Sequence, residues 1–269
     1  MADGIKLLWK LPPNPYVNLS APLEKSCFGD AVQCSATQRV LRAAATLIGA
    51  VLLPLRVVTV FVCVMLAWVA SKISIVGVAP NAMGPDAEPL SLWRRAIQVG
   101  TVVPMCRTIL FCFGFVTIET KGKLETLEKA PIVVANHTSF LDIFLMHVLL
   151  GVPVGLSAAE NINFPIMGDM MVAFQTIFMD RESKVPGAGK KAIDAVTRCA
   201  RDQRYPRVQI YPEGNTCNGA QLCAFKAGAF VSGMPVQPMI VRYTGDDHVV
   251  DKCTSLFAHT CVCMSRCVN

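Results

Sequence analysis

Charge is what this 269-residue sequence has least of. Asp, Glu, Lys and Arg make up 16% of it, where globular chains average about 25%. The 25 basic and 19 acidic residues leave a formal charge of +6, and no block of five or more basic residues occurs. A nucleic-acid partner is therefore not expected; so mild a basic excess suits an anionic lipid surface or a phosphorylated substrate. Paired C-x-x-C spacing is missing too, so the 12 cysteines, including Cys261, Cys263 and Cys267 beside His259, are not read as a metal site. Cys63, Cys106, Cys112 and Cys199 sit singly in apolar runs and read as buried free thiols. No secretory signal opens the chain: Pro12, Pro13, Pro15 and Pro22 among scattered charges read as an irregular polar leader. Neither a repeat nor a low-complexity tract is present.

What the sequence has in abundance is apolar residues, 53% with a mean hydropathy of +0.46. That excludes a disordered chain and argues against a freely soluble enzyme. The length suits one domain of about 200 residues plus an appendage. The division expected is a leader over 1–39, a membrane-associated helical segment over 40–115, a catalytic domain over 116–245 and a Cys-containing tail over 246–269.

From Ala43 to Ala70 the one charge is Arg56, two residues after Pro54. Twenty-eight residues of helix run about 42 Å, beyond the roughly 30 Å hydrocarbon core. A single tilted span would leave Arg56 near mid-bilayer, at a cost of at least about 2.5 kcal/mol. A re-entrant or tightly paired hairpin breaking near Pro54 avoids that cost and is the favoured reading. After the Gly/Pro turn segment Asn81–Pro89, the stretch Leu92–Phe115 resumes as an apolar helix with Trp93, Arg94, Arg95 and Arg107. It suits either the membrane interface or a core.

Beyond Val116 the pattern alternates. Val116–Glu119, Ile132–Ala135, Gln175–Met179, Val208–Tyr211 and Val236–Val241 read as strands; Leu141–Leu150, Gly187–Gln203 and Phe225–Ser232 read as helices. This predicts an α/β domain, a mixed and largely parallel sheet flanked by helices, behind an N-terminal helical membrane anchor.

The chemistry concentrates in Ile132-Val-Val-Ala-Asn136-His137-Thr-Ser-Phe-Leu-Asp142. His137 falls in the turn after a buried strand, where open α/β sheets place ligands. Asp142 falls in the first turn of the following helix, in reach of the imidazole. A carboxylate there fixes one tautomer and leaves the other ring nitrogen as a base. Tyr211-Pro212-Glu213-Gly214-Asn215-Thr216-Cys217-Asn218-Gly219 leaves a second strand and offers backbone amides around one carboxylate. Ile177-Phe-Met-Asp180-Arg181 and Gly233-Met-Pro235-Val-Gln-Pro238 follow the same rhythm.

These four blocks together resemble the glycerolipid acyltransferase family, over roughly Leu41 to Tyr243. Leu53-Pro54-Leu-Arg56, the Glu213–Gly219 loop and Phe225-Lys226-Ala-Gly228-Ala-Phe230 are most similar to its lysophosphatidylcholine and lysophosphatidylethanolamine acyltransferases. The resemblance implies a membrane enzyme, expected in the endoplasmic reticulum, that needs no cofactor and uses acyl-CoA as co-substrate. His137 would be the base and Asp142 its orienting acid. Arg181 would pair with the acceptor phosphate, Glu213 and Gly214 would border the acceptor, and Asn136, Thr216 and Asn218 would join them in binding substrate. Lysophosphatidic acid acyltransferases commonly carry arginine two residues after the Glu-Gly pair; here that position is Thr216, which favours an acceptor with a head group. Transfer to 1-acylglycerol-3-phosphate is the alternative, and an inactive lipid-binding relative is a further one, raised by a tail shorter than the family usually carries. Lys190, Lys191, Arg198, Arg201, Arg204 and Arg207 read as a solvated face rather than a CoA site, and His147 as a packed histidine.

Overall fold

The structure, a computed structural model, describes residues 36–78, 88–180, 188–216 and 224–242. The leader, the tail, Arg181 and Asn218 lie outside the described residues.

The first helix among the described residues, α1 (Ala36–Ser74), is unbroken through Pro54 and Arg56. The expected break at Pro54 does not occur. A proline inside a helix loses one hydrogen bond, and a helix lying among apolar neighbours tolerates that loss. The tight pairing is made with a different partner, α2 (Leu92–Cys112). Arg94 Nη1 donates to the Ser74 carbonyl at 2.7 Å and Gln98 Nε2 to Ser74 Oγ at 2.9 Å. Farther along, Ala67 of α1 packs with Val102 and Cys106 of α2, so the helices run antiparallel. Within α1, Leu47–Ser74 is long and apolar enough to cross a membrane. Its outer stripe of Leu47, Val51, Leu55, Val58, Val62, Leu66, Val69 and Ile73 is 44–79% exposed, recurring every three or four residues as one helix face does.

The sheet follows. β1 (Ile132–Ala135) is buried along its whole length. After it come α3 (Leu141–Leu150), β2 (Val154–Ala158), a 3₁₀ turn over Ala159–Asn163, α4 (Met167–Ala173) and β3 (Ile177–Met179). Then come α5 (Ala188–Arg201), β4 (Val208–Ile210), a second 3₁₀ turn at Ala227–Ala229 and β5 (Val236–Met239). The five strands lie in the order β3-β2-β4-β1-β5. Every ladder among the described residues is parallel, with Ile132 opposite Val208 on one side and Val236 on the other. The expected α/β fold is thus present, with β1 reading as a continuous apolar run because both its faces are covered. On one face α5 lays Ala192, Ala195, Val196, Cys199 and Ala200 against Ile132, Val134, Val208 and Ile210. On the other, α3 packs Leu141, Leu145 and Met146 beside Ala135 and Leu110 of α2.

Two expected elements differ and two were unexpected. Val116–Glu119 forms no strand; the Arg107 guanidinium takes the Phe115 and Val116 carbonyls instead of a ladder. Phe225–Ser232 gives only the short turn at Ala227–Ala229. β2 and α4 were not foreseen.

α1 is docked on this domain as well as on α2. Asp169 of α4 accepts from Trp68 Nε1 at 3.0 Å and pairs with Lys72 at 2.8 Å. Beneath that contact Gln98, wholly buried, also donates to the Ala173 carbonyl at 2.7 Å. It accepts from Arg95, whose other amine donates to the Val152 carbonyl at 2.7 Å. Burial lowers the Arg95 guanidinium to about 10.

Candidate active site

β1 ends at Ala135, and Asn136 and His137 turn off its carboxyl end. Asn136 fixes the turn: its Nδ2 donates to the Val241 carbonyl at 2.9 Å, and its Oδ1 accepts from the Val241 amide at 2.7 Å. This side-chain amide continues the β1–β5 ladder where the strand itself stops.

Asp142 sits in the first turn of α3 with no solvent exposure. Its Oδ2 lies 2.9 Å from His137 Nδ1 and accepts the backbone N–H groups of Thr138 at 2.7 Å and Ser139 at 2.9 Å. Three donors converging on one oxygen, at a helix N-terminus, hold the carboxylate as an anion. A carboxylate only accepts, so His137 Nδ1 carries the ring proton and Nε2 keeps its lone pair. His137 is 14% exposed, and its ring lines a cavity of about 570 Å³.

The Tyr211–Thr216 loop closes the other side. Gly214 closes a turn by donating to the Tyr211 carbonyl at 3.0 Å, with φ +75°. Such a φ suits glycine, and a Cβ there would come within 2.7 Å of Lys226 Nζ. The Lys226 amide donates to the Pro212 carbonyl at 2.8 Å, which brings that ammonium beside the loop. Glu213, 5% exposed, turns its Oε1 onto the His137 amide at 3.0 Å. The Tyr211 ring lies on the His137 imidazole, centroids 4.0 Å apart and planes 12° apart. Burial, with the Asp142 charge, raises the Tyr211 phenol well above its ordinary value.

The structure therefore brings Asn136, His137, Asp142, Glu213 and Gly214 together, with Thr216 exposed at the cavity edge. Sequence reasoning missed Tyr211 as the neighbour of the imidazole and Lys226 as the neighbour of Gly214. Both were inside segments already singled out, but these contacts join segments far apart in the sequence, which local patterns do not reveal.

Residues 115–242 match the family described as Acyltransferase. The chain carries an acyltransferase-family domain. Over 207 residues, 76% of the chain, it is 31% identical to the lysophospholipid acyltransferase LPCAT4 of Homo sapiens. It is 35% identical over 201 residues to lysophosphatidylcholine acyltransferase 2 of Mus musculus, and 39% identical over 157 residues to the lysophospholipid acyltransferase LPEAT2 of Arabidopsis thaliana. The matched stretch covers 73% and 58% of this chain in those two cases, and 28–38% of the length of the three relatives. The acyltransferase domain also shares its fold with the crystal structure of the 1-acyl-sn-glycerophosphate acyltransferase PlsC from Thermotoga maritima. That likeness has a TM-score of 0.51 and 17% identity, and covers 80% of this chain and 79% of the other.

The cavity beside His137 is lined by residues from both faces of the sheet. Leu156, Met179 and Ile210 face α5. Gln209 and Tyr211 alternate with them along β4 and face α3. On that second side the wall includes Val64 and Ala67 of α1, Val102 and Cys106 of α2, and Met170 of α4. His137 lines the same cavity at the carboxyl ends of the strands.

Proposed function

We propose that this protein is a membrane-bound, acyl-CoA-dependent lysophospholipid O-acyltransferase that re-acylates lysophosphatidylcholine or lysophosphatidylethanolamine. The observation that carries the reading is the 2.9 Å contact between His137 Nδ1 and the buried Asp142, on a ring that opens into an apolar cavity. His137 Nε2 takes the proton of the acceptor's free glycerol hydroxyl. The oxygen attacks the thioester carbonyl, and the tetrahedral intermediate collapses with loss of the CoA sulfur, which receives that proton from the imidazolium. No acyl-enzyme forms. General-base help of this kind is worth about 10² to 10⁴ in rate.

Lys226, beside Gly214, offers the loop a cation for the acceptor phosphate, and Arg181 is assigned the same partner. With Thr216 uncharged, a phosphodiester with its own head group suits the loop better than a doubly charged monoester. The exposed apolar stripe of α1 supports residence in a bilayer, and the endoplasmic reticulum is the membrane proposed.

The test uses purified protein in detergent, one acyl-CoA, and lysophosphatidylcholine, lysophosphatidylethanolamine and lysophosphatidic acid as acceptors. Acylation of the first two, lost in His137→Ala, is expected. A clear choice of the monoester would overturn the acceptor assignment, and undiminished transfer by His137→Ala would overturn the base.

A further inference from the structure

Asp142 holds the His137 imidazole at one atom. Its Oδ2 meets Nδ1 at 2.9 Å, and a single contact on the edge of a ring leaves the ring plane free to rock about it. A second group takes that freedom away. The Tyr211 ring lies flat on the imidazole, centroids 4.0 Å apart and planes 12° apart. Edge and face together fix the direction in which Nε2 points.

The sheet sets the place of the tyrosine. β1 and β4 pair in parallel with Val134 opposite Ile210, so Tyr211 is the first residue past that ladder, level with the chain that turns into His137. It packs on the cluster of Ala135, Leu141 and Leu145, which anchors the ring. The hydroxyl is idle: Oη is buried and makes no hydrogen bond among the described residues. What this residue offers His137 is therefore its face. Burial, with the Asp142 charge, raises the phenol well above its ordinary value, so the ring is uncharged. The π face of such a ring is negative and attracts a cation lying over it.

We propose that Tyr211 is a positioning residue for His137: its ring holds the imidazole plane, and its face stabilises the imidazolium formed when Nε2 takes the acceptor's proton. A neutral imidazole gains little from that face and a cation gains much, so the stack favours the transition state over bound substrate. The inference rests on His137 being the base and adds to that reading the group that carries the protonated ring.

Steady-state acyl transfer by the full chain in detergent, with octadecanoyl-CoA and lysophosphatidylcholine, tests it. Tyr211→Leu fills the site without a π face and should lower kcat about five- to thirtyfold, the size of a cation–π contact out of water, with little change in KM for either substrate. Tyr211→Phe keeps the face and should retain most of kcat. It should also melt no lower than wild type, since only the idle hydroxyl is lost. Phenylalanines bearing two and then three ring fluorines, placed at 211, keep the shape and weaken the negative face. They should lower kcat stepwise below Tyr211→Phe, at constant KM and melting temperature. A side chain that only filled space would not tell these rings apart. Equal kcat across the fluorinated series, or a Tyr211→Leu effect confined to KM, would overturn the proposal while leaving the base in place. If Tyr211→Leu does not fold, the fluorinated series decides alone. Undiminished transfer by His137→Ala, or none by wild-type protein, would instead remove the reading on which the proposal rests, and the proposal with it.

Discussion

Glu213 accepts the backbone N–H of His137 at 3.0 Å, so the carboxylate of one loop holds the main chain of the other. Removing that acceptor leaves a buried N–H unpaired, at a cost of about 1–3 kcal/mol. Glu213→Ala should therefore lower kcat and thermal stability together, with a smaller effect on KM for the acceptor. Glu213→Gln keeps an acceptor oxygen and should stay within about tenfold of wild type. A KM increase alone in both variants would mean that Glu213 acts on the substrate directly.

Asp142 gathers His137 Nδ1 and two backbone amides on one oxygen. Asp142→Asn removes the charge that would favour the imidazolium of the proposed base and scrambles the tautomer. A fall in kcat of about 10² to 10⁴ is expected, with the circular-dichroism spectrum unchanged. Steady-state acyl transfer measures it directly.

Gly214 has φ +75° and Lys226 Nζ close by. Gly214→Ala should destabilise by more than about 1 kcal/mol, because a positive φ is strained for alanine whatever the space. Adding Lys226→Ala clears the contact but not the strain, so partial recovery of the melting temperature is the expected result of the double variant. Activity should not recover, since the proposed phosphate partner is gone.

Gln98 joins α1, α2 and the end of α4 through Ser74, Arg95 and Ala173. Gln98→Leu fills similar volume but strands those groups in a buried site. A loss of about 1–3 kcal/mol per stranded group is expected, read as a lower melting temperature in detergent.

His147 titrates below its ordinary value of 6.5 because burial, and then Arg95, disfavour its charged form. Below that pH the unfolded chain binds a proton that the folded chain refuses, so folding stability drops as pH falls from about 6.5 toward the folded pKa. Above about 7 this contribution is constant. Melting temperatures across that range should fall less steeply in His147→Leu than in wild type.

The parallel core was legible because strands such as Ile132–Ala135, buried on both faces, are written in continuous apolar residues. β2 was not, since Val154-Gly-Leu-Ser-Ala has neither alternation nor a β-branched run. The Phe225–Ser232 helix was overread because Gly228 interrupts it, and Gly233, directly after it, adopts φ +65°. Pro54 misled for a different reason: local propensity argues for a break, whereas packing of α1 on α2 and α4 decides the helix. Within the site, the His137 and Asp142 spacing is local and survives in the sequence. Tyr211 and Gln209 reach the same cavity only through strand pairing, and His147 only through the packing of α3, which no short motif records.

The clasp between Asn136 and Val241 joins positions 105 residues apart in the chain. A ribosome therefore releases the turn that carries the imidazole long before it releases the segment that locks it. Until β5 has emerged and slotted beside β1, the nascent polypeptide holds His137 on an unfastened loop. The proposed base must therefore wait for β5, which leaves the ribosome long after α1.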